Sequence, residues 1–151
     1  MTVLLARERP AVRAIVTWNA LGRARRHSDA ELAAWRLAGR IHMVHKRLRI
    51  RLPLDYEVAE DCLAHEHGRL DIAAAAATLH RPWLQLHGTA DETVPFTEGE
   101  ALARGAGPGH AFVPIAGGSH TWGTQHPWTG STPACDDVFE RTLRFCTRHL
   151  A

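Results

Sequence analysis

Residues 82–115 alternate between strand-like and helix-like runs, and this alternation constrains the fold more than any other feature of the chain. Residues 82–86 (PWLQL) form a short, mostly apolar run of the kind found in a buried strand, bounded by His87 and Gly88. Residues 96–104 predict a helix, closed by the turn formers Gly105, Gly107, Pro108 and Gly109. Residues 111–115 predict another strand despite Pro114 near its end, and residues 134–149 a final helix. Strand–helix–strand–helix with short connections is the order of a parallel sheet with crossover helices. The expected class is therefore α/β, a mainly parallel sheet with flanking helices.

The first half is less regular. Residues 2–9 read as the last turns of a helix cut by Pro10, and the β-branched run 12–18 (VRAIVTW) as a strand ending near Asn19 and Gly22. Ser28 and Glu31 have the spacing of a capping box, so a helix is expected to about Ala38 with Gly39 as its stop. Residues 41–52 alternate apolar and basic, which fits a short hairpin or an exposed extended segment. Residues 55–65 and the Ala-rich 71–79 read as helices.

Composition excludes several classes. With 151 residues, 45% hydrophobic and 23% charged, the chain can bury a core and is neither collagen-like nor disordered. No apolar run approaches the ~18 residues of a membrane span, and residues 3–6 are too short for a signal sequence. The three cysteines, Cys62, Cys135 and Cys146, are odd in number and far apart, which points to a reducing, cytoplasmic setting. Charge is lopsided: residues 1–51 carry twelve Lys/Arg against three Asp/Glu, and residues 52–151 carry six against thirteen. No aromatic-interleaved or helix-turn-helix pattern accompanies the basic part, so the two parts are expected to neutralise each other, with no nucleic-acid or membrane partner.

Ionisable residues stand where a parallel sheet gathers its chemistry, at the carboxyl ends of strands. Asp91 lies in the loop after the first of the two strands, and His120 in Gly117-Gly118-Ser119-His120 after the second. An acid and then a histidine, each following a parallel strand, is the tail of a Ser…Asp…His order, in which the carboxylate orients the imidazole and the imidazole moves the proton. The plainer alternative has Asp91 capping the next helix and His120 on the surface. His42-x-x-His45 and His65-x-His67 lack the further ligands of a zinc site, so no metal is expected. His87 is expected to pack at its strand end, His126 to belong to the loop beside the site, and the five tryptophans to lie in the core or line the site.

At these residues the chain resembles the α/β-hydrolase superfamily, in particular its dienelactone-hydrolase-like and serine-peptidase-like branches. Residues 82–95 (PWLQLHGTADETVP) resemble the acid loop, and residues 117–122 (GGSHTW) the histidine loop. The resemblance implies that Asp91 is the triad acid and His120 the triad histidine. It implies hydrolysis of an ester or amide of a small-molecule substrate through an acyl-enzyme, with no cofactor. Residues 1–21 resemble the helix after the nucleophile and the next strand, and residues 22–70 fall where this family inserts a helical cap. Together these cover one partial domain, the C-terminal half of the family fold.

The family's G-x-S-x-G nucleophile elbow is not among these residues: the only serines are Ser28, Ser119 and Ser131. The expectation is thus the acid- and base-bearing part of a serine hydrolase, with Met1 starting just after the elbow and the 151 residues catalytically silent by themselves. The rival expectation is a non-catalytic interaction fragment. Residues 12–18 should form an open sheet edge that invites a homo-oligomer. Asp91 and His120 should lie within hydrogen-bonding reach, with the second imidazole nitrogen turned towards the start of the 2–9 helix.

Overall fold

The computed structural model describes residues 1–45 and 48–150. They fall into two units, one formed by Met1–Gly22 with Ile72–Ala151 and the other by Arg23–Asp71.

The first unit is built on a parallel sheet of three strands, β1 (Ile15–Trp18), β4 (Trp83–Gly88) and β5 (His110–Ile115), in the order β1-β4-β5. Ile15 is level with Trp83, and Trp83 with His110, so all three carboxyl ends reach the same edge. Around the sheet run α1 (Thr2–Glu8), α4 (Ile72–Ala77), α5 (Phe96–Arg104) and α6 (Pro133–Leu150). No helix among the described residues is long and apolar enough to cross a membrane.

As the middle strand, β4 is buried along its whole length. Its side chains alternate between two faces. Leu84 and Leu86 pack with Ile115, Trp122 and the α6 residues Cys135 and Val138. Each fully buried leucine of this kind contributes roughly 2 kcal/mol. Trp83, Gln85 and His87 point the other way. Trp83 donates to Thr17 Oγ1, and Gln85 donates to the α5 carbonyl of Gly99. His110 Nε2 lies 2.9 Å from Gln85 Oε1, and burial pushes the His110 imidazole below its ordinary value. Helices α5 and α6 therefore cover opposite faces of the sheet.

Three boundaries differ from the sequence expectation. The strand expected over 12–18 begins only at Ile15, because Val12 closes a turn onto the Arg9 carbonyl and its own carbonyl accepts from the Arg81 guanidinium. The strand expected over 82–86 continues through His87 and Gly88, both paired with β5. Pro114 sits inside β5, which is an edge strand, where a missing N–H is tolerated.

The second unit contains α2 (Asp29–Ala38), an antiparallel hairpin of β2 (Arg40–His45) and β3 (Ile50–Asp55), and α3 (Glu57–His65). Lys46 and Arg47, within the stretch expected to be extended, lie outside the described residues. The Ser28–Glu31 capping box is present, and Gly39 ends α2 at φ 69°. Strand β3 runs through Pro53, which pairs with His42 in a two-strand ladder where every strand has a free side. Leu32, Trp35 and Ala59 form the core here, and the Trp35 indole N–H donates to the Leu54 carbonyl.

Candidate active site

Asp91 stands in the loop between β4 and α5, with its side chain fully buried. Oδ1 accepts the backbone N–H groups of Thr93 (2.8 Å) and Val94 (2.9 Å), fixing the turn that leads to α5. Oδ2 lies 2.9 Å from His120 Nδ1. One carboxylate oxygen thus holds the turn ahead of α5 and the other lies against the histidine; α5 itself starts after Pro95 with no side-chain cap, so Asp91 does not cap that helix. Burial pushes the Asp91 carboxyl up. The His120 hydrogen bond, the Val94 and Thr93 amides and the His120 charge outweigh that and hold it below the usual carboxylate range.

His120 lies in the turn after β5, with its side chain about one-third exposed (35%). With Nδ1 taken by Asp91, Nε2 has no hydrogen-bond partner among the described residues. A neutral imidazole paired in this way carries its proton on Nδ1 and presents a basic Nε2.

The two loops are joined backbone to backbone. Thr89 N donates to the Ile115 carbonyl and Ala90 N to the Gly118 carbonyl, both at 3.0 Å, while Gly117 N donates to Thr89 Oγ1 at 2.9 Å. Glycine is required at the crossing. A Cβ on Gly88 would lie 2.1 Å from the Gly118 oxygen, and one on Gly118 would lie 3.2 Å from the Gly88 Cα.

His87 packs at its strand end, fully buried beneath the acid loop, with Phe96 edge-on to its ring. Its Nε2 lies 3.0 Å from the Val94 carbonyl and 3.7 Å from Asp91 Oδ2. The carbonyl can only accept, so Nε2 carries the proton. Among the described residues Nδ1 has no hydrogen-bond partner, and it faces Gly99, where a Cβ would come within 2.3 Å. His126 is exposed in the loop that follows the site. Trp35, Trp83 and Trp122 are buried; of the other two tryptophans expected in the core or lining the site, Trp18 is 37% and Trp128 63% exposed. His65 pairs with Asp61 and His67 with Glu66, and no group of three candidate ligands converges among the described residues.

The sequence reading missed Asn19, taking it only as the end of a strand. It is buried, has φ 49°, and bonds to both loops. The signal available was its position: it follows the third parallel strand of the same edge, and asparagine tolerates a left-handed backbone.

No family model matches the sequence, and no curated protein matches it. Its structure does have counterparts. Est1E from Butyrivibrio proteoclasticus, solved with ferulic acid bound, superposes with a TM-score of 0.68 at 15% identity, over 98% of this chain and 54% of that one. A monoacylglycerol lipase from Paleococcus ferrophilus gives 0.65 at 13% identity, over 97% and 63%. The esterase domain of a Rhodothermus marinus protein gives 0.64 at 17%, over 99% and 57%. This chain therefore spans between about half and two thirds of the length of these structures, and it has part of the α/β-hydrolase fold.

Proposed function

We propose that this part of an α/β-hydrolase fold carries the acid and the base of a serine hydrolase, which cleaves an ester or amide bond through an acyl-enzyme. The observation that carries the reading is the 2.9 Å contact between His120 Nδ1 and the buried Asp91 Oδ2, at the carboxyl edge of the parallel sheet. In this reading Asp91 orients the imidazole and stabilises its cation. Nε2 accepts the nucleophile's proton and returns it to the leaving group. These steps call on no metal or organic cofactor.

The serines of the chain are all engaged elsewhere. Ser28 caps α2, Ser119 Oγ accepts from the Gly123 amide, and Ser131 donates to Asp136. Cys135 is buried, Cys146 lies near the end of α6 rather than in a loop at the sheet edge, and the Cys62 thiol is pushed up by burial, then by Glu66 and Asp61. We therefore propose that the nucleophile is not one of these residues.

The purified chain should show no burst with p-nitrophenyl acetate and no serine labelled by a fluorophosphonate. Joined to a segment that carries a G-x-S-x-G elbow, the chain should be labelled at that serine, and its His120→Ala variant should lose about 10³-fold in kcat/KM. Stoichiometric labelling of Ser28, Ser119 or Ser131 overturns this reading.

The open side of β1 favours a second role. Among the described residues this strand is hydrogen-bonded only to β4, Trp18 at its end is 37% exposed, and a cleft lined by Met1, Val3, Val16, Trp18 and Leu21 lies against it. Such an edge is a template for another chain, and we propose that it pairs copies into a homo-oligomer. Light scattering at micromolar concentration should give a mass above the 16.7 kDa of one chain. A monodisperse monomer with a cooperative unfolding transition counts against it.

A further inference from the structure

We propose that Asn19 is the positioning residue that aims His120 at Asp91; the inference rests on the acid–base reading of that pair and goes beyond it. Asn19 follows β1, which is not a neighbour of β5, yet its side chain reaches the loop after β5. Nδ2 donates to the His120 carbonyl at 3.0 Å and to the Ser119 carbonyl at 3.3 Å. Oδ1 accepts the Gly88 amide at 2.9 Å, at the head of the acid loop, and the Asn19 backbone N–H donates to the Leu86 carbonyl.

The two accepting carbonyls belong to the peptide planes on either side of the His120 Cα. Holding both planes sets the direction in which the Cα–Cβ bond leaves the backbone, and so the reach of the imidazole. The third bond ties the same amide to the loop that carries Asp91. One side chain thus references the base and the acid to a common strand end. It is buried, all its hydrogen-bonding groups but one lone pair are used, and its backbone lies in the left-handed region at φ 49°.

No other asparagine occurs in the chain, and no common substitute reproduces this arrangement. Aspartate keeps the acceptor for Gly88 but turns a second oxygen towards two carbonyls. Serine and threonine are too short to span both loops. Glycine accepts the backbone conformation and deletes the side chain, so it isolates the amide's contribution.

The test reads His120 directly, without an activity. In the ¹⁵N-labelled chain at pH 9, long-range ¹H–¹⁵N spectra should show His120 as the Nδ1–H tautomer. In Asn19→Gly and in Asn19→Asp that signature should be lost to a mixture of tautomers, while the amide spectrum of the sheet persists. If both folded variants keep His120 wholly as Nδ1–H, the role of Asn19 is overturned and the acid–base pair stands. If the unmodified chain itself lacks the Nδ1–H tautomer, the Asp91–His120 reading fails first. Should both variants fail to fold, hydrogen exchange in the unmodified chain decides: Asn19 side-chain protons protected to the level of the Gly88 amide support the proposal, and unprotected ones overturn it.

Discussion

Gly88→Ala should lower the stability of the chain by about 3 kcal/mol and separate the two site loops. The added Cβ would meet the Gly118 oxygen at 2.1 Å and its carbonyl carbon at 2.6 Å. Both are backbone atoms in a turn held by the Gly118–Ile115 and Ala90–Gly118 hydrogen bonds. A side chain could swing away from the methyl; this backbone cannot without breaking the bonds that place His120. The Asn19 bonds to Gly88 and to the His120 loop would go with them. Gly105→Ala is the control, because a Cβ there has nothing closer than 3.9 Å and the backbone is already right-handed helical. It should leave stability unchanged or raise it by up to about 1 kcal/mol. Urea midpoints followed by tryptophan fluorescence measure both. A Gly88→Ala chain as stable as the Gly105→Ala chain would falsify the close crossing of the loops.

Asp91→Asn should cost about 2 kcal/mol at neutral pH, and the difference should disappear in acid. The amide still offers an oxygen to the Thr93 and Val94 N–H groups, but it turns an NH₂ towards His120 Nδ1, where the carboxylate accepted. The magnitude is kept modest because the His120 side chain is about one-third exposed (35%) and water screens that part of the bond. The direction with pH follows from the lowered carboxyl of Asp91. A group ionised more readily in the folded chain stabilises it fully above its unfolded value, near 3.9. That contribution is lost as pH falls from there through the lower folded value. The two unfolding curves should be well separated at pH 7 and converge below pH ~4. A gap that persists unchanged at pH 2 would show that the carboxylate charge is not the stabilising element.

Much of the fold was legible because it is encoded locally. Ser28, Glu31 and Gly39 delimit α2 through a capping box and a left-handed stop, both of which are properties of neighbouring residues. The glycine- and proline-rich run 105–109 after α5 is local as well, although Gly105 itself stays right-handed helical. Asp91 and His120 were legible as site candidates because alternating strands and helices must return both loops to one edge. The start of β1 was not legible. Val12 has the residue type of a strand, but the Arg81 guanidinium, 69 positions away, takes its carbonyl and the chain turns there. The full length of β4 was hidden too, since His87 and Gly88 look like loop residues until burial beneath α5 and contact with Gly118 explain them.

The amino-acid pattern alone specified the α/β alternation, the parallel strand direction and the two loops that carry an acid and a histidine. These follow from periodicity and turn chemistry over a few residues, which short-range sterics and hydrogen bonding decide. Which oxygen of Asp91 faces His120, that Gly88 must lack a side chain, and that Asn19 bridges three strand ends were set by the assembled fold. Each of those depends on segments 29 to 101 residues apart being brought into contact, at 2.9 Å between Asp91 and His120 and 3.0 Å between Asn19 and His120. Such contacts form only after the sheet has assembled, and no local pattern in the chain records them.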